Sequence, residues 1–268
     1  MTIAIIGAGV MGETLLSGII NSGVRAQELV IAERRVERAE ELTAKYGVIC
    51  ADPVTAVADA DTVLLVVKPQ DMAQVIDEIA LALKPDALVI SLAAGISTQF
   101  IESKLATKNP VIRVMPNTPA LVGQGISGVS AGSNCSNDQV SEAVNLMASV
   151  GEVVEVPESL QDALTSVSGS GPAYVFYVIE SMVDAGVALG LESDVATQLA
   201  IQTVYGAAAL IKETGESAET LRQRVSSPNG TTVAAINKLD ELHVREAFLA
   251  AMTACRNRSI ELGQENNK

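Results

Sequence analysis

The chain contains one histidine, His243, no tryptophan and three cysteines in 268 residues. A single histidine leaves no Ser/His/Asp or Cys/His arrangement to build, and its place between two C-terminal helical stretches suits a surface role. Any reaction here needs little proton machinery, or a hydroxyl handles it. Cys50, Cys135 and Cys255 lie far apart, with neither CxxC nor metal-ligand spacing. They read as buried free thiols in a reducing cytoplasm, and no metal site is expected. Cations are scarce as well. Lys+Arg number 18 against 32 Asp+Glu, a formal net charge of −14, which argues against nucleic acid or an anionic membrane as partner. No apolar run reaches the length of a membrane span. The start has no basic region ahead of an apolar stretch and no export cleavage pattern, so a cytoplasmic protein is expected.

What the chain has is core and a glycine turn. Apolar residues make up 48% and charged residues 19%, a globular composition at a length that suits one large or two modest domains. Ile3-Ala4-Ile5-Ile6 runs into Gly7-Ala8-Gly9-Val10-Met11-Gly12, and an apolar, helix-favouring stretch follows over 13–20. A strand, G-x-G-x-x-G and a helix in that order form a dinucleotide-binding fingerprint. Gly7 allows the tight turn, Gly9 lets backbone N–H groups approach a pyrophosphate, and Gly12 lets helix and strand pack closely. The phosphates then lie on the positive end of the helix dipole.

Residues 1–157 alternate short β-rich runs with amphipathic stretches, which predicts a parallel α/β sheet. Strands are expected at 29–32, 48–51, 62–67, 87–94, 111–115 and 152–156. Gly23 closes the turn after the first helix, and a charged helix over 36–46 stops at Gly47. Ser136-x-x-Gln139 reads as a capping box opening a helix to 149. From 158 to 268 helical periodicity takes over, with Ile201, Val204, Tyr205 and Ala208 on one face. These helices are rich in Ala and Gly, which permits close approach. A small all-helical domain with this much apolar surface suits a homodimer of paired helical domains. The fold class is α/β: an N-terminal Rossmann-type dinucleotide-binding domain followed by an all-α dimerisation domain.

The second strand ends in Glu33, then Arg34-Arg35. An acid about 20 residues past the glycines takes the ribose hydroxyls of NAD, while an arginine accommodates the 2′-phosphate of NADP. Both signals are present; a guanidinium's bidentate grip favours NADPH, with NADH possible. Ligands in open sheets bind beyond the carboxyl ends of the strands, which gathers Gly7 to Gly12, Val66 to Pro69, Ala93-Ala94-Gly95 and Met115 to Ala120 on one rim. Lys68 there suits catalysis, a dinucleotide contact or a solvated charge. Further on, Ser226-Ser227-Pro228-Asn229-Gly230-Thr231-Thr232 opens a helix. Its free N–H groups and hydroxyls suit a carboxylate and a ring nitrogen, or simply an N-cap.

The chain resembles the pyrroline-5-carboxylate reductase family over nearly its whole length. The resemblance rests on the glycine turn, Val66-Val67-Lys68-Pro69, Ala93-Ala94-Gly95, Met115-Pro116-Asn117-Thr118-Pro119-Ala120, Ser168-Gly169-Ser170-Gly171-Pro172-Ala173-Tyr174 and the 227–232 turn. It implies NAD(P)H-dependent reduction of 1-pyrroline-5-carboxylate to L-proline, the last step of proline biosynthesis. It also implies a homo-oligomer built from dimers, with an active site between the nucleotide domain of one subunit and the helical domain of its partner. By the same resemblance Ile6, Gly7, Ala8, Gly9, Val10, Met11, Arg34, Val66, Val67, Lys68, Pro69, Leu92, Ala93 and Ala94 contact the dinucleotide. Glu158, Ser227, Gly230, Thr231 and Thr232 hold the substrate, with Thr232 at its ring nitrogen as the catalytic side chain. Two departures stand out. The family's Pro-Gly-Gly-Thr is Pro228-Asn229-Gly230-Thr231 here, and asparagine tolerates the left-handed conformation well. Arg34 stands where other members carry smaller residues.

Two rivals have distinct signatures. A 3-hydroxyacid dehydrogenase shares the G-x-G-x-M-G start but wants a lysine on the first long helix of its second domain; residues 169–190 contain none. A non-catalytic NADP(H) sensor needs no substrate cradle, and the 227–232 turn argues against it.

Overall fold

Strand β1 (Ile3–Ile6) is buried at every residue. Its side chains alternate between two cores, so both faces must be covered. Ile3 and Ile5 join a cluster with Leu15, Leu16, Ile19, Ala143 and Met147. Ala4 and Ile6 join another with Met72, Val75, Ile76, Ile79, Phe100 and Ile101. A register slip of one residue would exchange the two sets.

The computed structural model describes residues 1–266. The remaining strands are β2 (Leu29–Ala32), β3 (Ile49–Cys50), β4 (Thr62–Leu65), β5 (Leu88–Ser91), β6 (Val111–Met115), β7 (Gly125–Ala131) and β8 (Gly151–Glu155). They form one sheet in the order β3-β2-β1-β4-β5-β6-β7-β8. Helices α1 (Val10–Asn21), α2 (Val36–Tyr46), α3 (Pro53–Ala58), α4 (Met72–Ile79), α5 (Thr98–Lys104) and α6 (Asn137–Ala148) lie between strands. The strand order reverses between β1 and β4, the switch point where a doubly wound sheet opens a crevice.

The expected all-parallel sheet needs one correction. β7 pairs antiparallel with β6, and β8 runs parallel to β7. Sequence pattern predicts no strand at β7, because Gly-Ile-Ser-Gly-Val-Ser-Ala lacks a β-branched run and its glycines read as breaks. Those glycines answer to packing. A Cβ on Gly128 would collide with the Leu164 side chain, and one on Gly125 would lie 2.8 Å from the Ala120 Cβ. β2 and β6 have their expected bounds, whereas β3, β4 and β5 are shorter than expected, β4 stopping at Leu65 and β5 spanning only Leu88–Ser91. The first helix begins at Val10, directly after the turn, rather than at 13. Gly47 ends α2 in the left-handed region at φ +69°. The capping box is present, with the Ser136 N–H donating to Gln139 Oε1 at 2.8 Å and the Gln139 N–H to Ser136 Oγ at 3.3 Å.

Helices α7 (Gln161–Leu164), α8 (Gly171–Ala188), α9 (Ser193–Thr214), α10 (Ala218–Arg224), α11 (Thr231–Glu241) and α12 (Val244–Asn266) complete the described chain, which divides into two compact units. One runs from Met1 to Ser170 and includes the chain from Cys255 onward; the other is Gly171–Ala254. Strands end near 157 as expected, yet the following segment stays with the sheet. Gln161 Nε2 donates to the Gly128 carbonyl at 3.2 Å and to Ser130 Oγ at 2.8 Å. The end of α12 belongs there too: Ser259 Oγ donates to Asp162 at 2.7 Å, and Gly263 N would lie 3.2 Å from a Cβ on Gly95.

In the second unit α8 packs on α9, with Gly186 facing Ala196. No residue of α8 is buried, and Phe176 and Tyr177 are 58% and 71% exposed. The cysteines are free, but half-buried rather than fully buried. Burial pushes the Cys135 thiol up, and its Sγ lies 3.1 Å from the Val111 carbonyl. His243 is exposed between α11 and α12. Among the described residues no helix is long and apolar enough to cross a membrane, and no three His, Cys, Asp or Glu side chains gather at a metal-binding distance.

Candidate active site

The turn from β1 to α1 assigns each glycine a task. Gly7 sits at φ +95°, and a Cβ there would lie 2.6 Å from the Val66 carbonyl oxygen. A Cβ on Gly12 would strike the Gly7 carbonyl oxygen. Gly9, the N-cap of α1, has no atom within 4 Å of its Cβ position. Two glycines close the turn; the third leaves bare backbone facing outward. The first N–H groups of the twelve-residue α1 lack intrahelical acceptors and point the positive end of the dipole to the same place.

A cleft of about 1450 Å³ opens beside this turn. Of the expected dinucleotide contacts, Ile6, Gly7, Val10, Arg34, Val66, Val67 and Lys68 line it. Ala8, Gly9, Met11, Pro69, Leu92, Ala93 and Ala94 are outside that lining. Ala8, Leu92 and Ala93 are buried in the two cores instead. Lys68 is exposed. Sequence reasoning missed Asp52, which also lines the cleft and caps α3 by accepting from the Thr55 N–H at 3.0 Å. Asp-Pro at a helix start was the available signal.

The charged residues at the end of β2 divide their work. Glu33 accepts from the Arg35 backbone N–H at 3.0 Å, from its Nε at 3.0 Å and from its Nη2 at 3.3 Å. Burial pushes the Glu33 carboxyl up, but the Arg35 guanidinium and backbone N–H, with the nearby Arg38 charge, together hold the group below the ordinary carboxylate range. Arg34 is exposed on the cleft wall and makes no ion pair among the described residues. Nearby, Glu13 of α1 pairs with Arg38 and accepts from Lys45 at 2.8 Å and Tyr46 at 2.9 Å. Lys45 foremost, with Arg38 and Tyr46, holds its carboxyl at about 2 against the cost of burial. This cluster pins α2 to α1 behind the glycine turn; its partners, 25 to 33 residues apart, leave no local signal in the sequence.

Glu158 lies in the first unit. It accepts from the Thr98 N–H at 2.8 Å and hydroxyl at 2.6 Å, and from Arg113 Nη1 at 3.5 Å. The 227–232 turn lies in the second. The Gly230 N–H donates to the Ser227 carbonyl at 2.9 Å, with Pro228 and Asn229 between them. Asn229 takes φ +58°, the left-handed conformation a type II turn needs at that position. A Cβ on Gly230 would lie 2.6 Å from Ser227 Oγ. Thr231 and Thr232 are the first two residues of α11, so their hydroxyls and the opening N–H groups share one helix start.

A doubly wound sheet with a glycine turn at its switch point and a helical second unit defines a nicotinamide-dinucleotide oxidoreductase. Residues 2–95 match the family described as NADP oxidoreductase, coenzyme F420-dependent, and residues 158–262 match pyrroline-5-carboxylate reductase dimerisation. A pyrroline-5-carboxylate reductase of Corynebacterium melassecola is 45% identical, covering 98% of this chain and 99% of its own. Among solved structures, a Coxiella burnetii pyrroline-5-carboxylate reductase superimposes with TM-score 0.93 at 38% identity, over 97% of this chain and 98% of that one. A Plasmodium falciparum pyrroline carboxylate reductase with NADP bound gives TM-score 0.87 at 26% identity, over 98% of both chains. The chain belongs to the pyrroline-5-carboxylate reductase family.

Proposed function

We propose that this chain reduces 1-pyrroline-5-carboxylate to L-proline with NADPH as preferred coenzyme, the last step of proline biosynthesis. Family membership supplies the reaction. The structural observation that carries the coenzyme reading is the bare backbone at Gly9 beside a cleft on whose wall Arg34 has no ion-pair partner among the described residues. An NAD-type site wants a free carboxylate at the end of β2, and Glu33 is already taken by Arg35. Arg34 suits a 2′-phosphate, to which a guanidinium binds bidentately. NADH remains a slower alternative.

When bound, the reduced nicotinamide supplies the hydride. The substrate's iminium carbon is already electrophilic, so the protein's work is positioning rather than acid catalysis. Thr232 orients the ring nitrogen through its hydroxyl. Ser227, Gly230 and Thr231 hold the carboxylate on the turn and the helix start. Glu158, steadied by Thr98 and Arg113, bounds the substrate side. Functionally the domains are 1–157, which takes the dinucleotide, and 158–268, which dimerises and carries the turn.

The working form is a homo-oligomer built from dimers, each site combining the dinucleotide domain of one subunit with the turn of its partner. Support comes from α8, whose apolar side chains are left open within the chain. The three unpaired thiols suit the cytoplasm. The test follows NADPH absorbance on adding pyrroline-5-carboxylate, then repeats it with NADH. Faster oxidation of NADPH is expected. Oxidation of neither coenzyme would overturn the reaction, and turnover of a 3-hydroxyacid with NADP instead would favour the dehydrogenase.

A further inference from the structure

Two motifs, 115–120 and 168–174, have no part in the chemistry above, and one side chain joins them. Asn117 Oδ1 accepts from the backbone N–H of Ile126 at 2.9 Å, and its Nδ2 donates to the Ser168 carbonyl at 3.1 Å. A backbone N–H only donates and a carbonyl only accepts, so a single orientation of the amide serves both partners. The Asn117 carbonyl also accepts from the Ala120 N–H at 3.2 Å, closing the loop on itself. Apolar contact backs the bond: a Cβ on Gly169 would lie 2.7 Å from Met115 Cε.

Both partners of this amide occupy informative places. The 115–120 loop leaves the carboxyl end of β6, next to β5 on the rim where open sheets hold their ligands. Ser168 lies in a π-helical turn, Thr165–Gly169, closed by the Ser170 N–H on the Thr165 carbonyl at 2.9 Å. Single π turns are costly geometries that recur at functional sites. An aspartate would keep the acceptor and lose the donor, a leucine would lose both, and a glutamine would overreach.

We propose that Asn117 is a positioning residue for hydride transfer: its amide holds the loop beyond the carboxyl end of β6 and the Ser168 carbonyl at a fixed separation, on the rim where open sheets seat their ligands. This rests on the proposed reduction of pyrroline-5-carboxylate. Wild-type turnover is therefore measured first, and its absence would count against that reaction and not against Asn117.

Given an active wild type, Asn117→Asp and Asn117→Ala are compared in the full-length oligomer. Both are expected to lower kcat about tenfold or more, since misplacement by about 1 Å costs that much or greater, while the NADPH Kd stays within about twofold. Equal losses of NADPH affinity and kcat, or an unchanged kcat, would each overturn the proposal. If Asn117→Ala does not fold, Asn117→Asp decides. Failure of that near-isosteric variant to fold would make the amide a folding element, which also overturns it.

Discussion

Arg35 turns back on Glu33, placing its Nε 3.0 Å from the carboxylate two residues earlier. The pair occupies the acid that would otherwise be free to grip a ribose, while Arg34 on the same cleft wall makes no ion pair among the described residues. On the proposed coenzyme reading, Arg34 rather than Glu33 is the group at the end of β2 left to meet the dinucleotide.

Replacing Arg34 with alanine should raise the KM for NADPH about tenfold to a hundredfold, the value of a charge-assisted hydrogen bond of about 1.5–3 kcal/mol. The KM for NADH should change little. Steady-state kinetics with both coenzymes measure this, and a parallel rise for NADH would mean that Arg34 does not read the 2′-phosphate.

The glycines should separate by readout. Beyond its chain neighbours the methyl group of Gly9→Ala meets no atom of the described residues within 4 Å, so its stability should stay within about 0.5 kcal/mol of wild type. Its NADPH affinity should fall steeply, because the methyl group stands where backbone would meet pyrophosphate. Gly12→Ala clashes with the Gly7 carbonyl and should lose stability by about 1–3 kcal/mol. Urea unfolding and NADPH titration of both variants settle it; equal destabilisation would show that Gly9 serves the fold.

Thr232→Ala should lower kcat/KM for pyrroline-5-carboxylate about tenfold or more, the effect of losing about 1.4 kcal/mol or more at the ring nitrogen. NADPH binding should be intact, and Thr232→Ser should restore most of the activity. Wild-type turnover in Thr232→Ala would remove this hydroxyl from the reaction.

Glu13 gives acid stability a definite sign. Its carboxyl is lowered from 4.5 to about 2, so its contribution is whole above the unfolded value and fades as pH falls towards the folded one. After discounting for partial exposure the loss is on the order of 1–2 kcal/mol. Urea unfolding from about pH 6 to about pH 2 should show this decline in the wild type and a flatter one in Glu13→Gln. Identical slopes would show that the cluster adds no pH-dependent stability.

The glycine turn was legible because its demands are local: φ +95° at Gly7 and the contact of Gly12 with Gly7 arise within six residues. The capping box, the left-handed Gly47 and the left-handed Asn229 are local in the same way. β7 was illegible, since its glycines are set by Leu164 and Ala120 rather than by strand propensity. The nearly full burial of Arg113 beside Glu158, 45 residues later, is equally non-local.

Composition and motif order by themselves determined the class of protein, its two-part plan and the glycine turn between β1 and α1, because those depend on the chain's immediate neighbours. Where Glu158 is anchored and how Asn117 ties two distant motifs were decided by tertiary structure alone. Each is a competition for hydrogen-bond partners, and its outcome exists only once the sheet has brought the competitors within about 3 Å of one another.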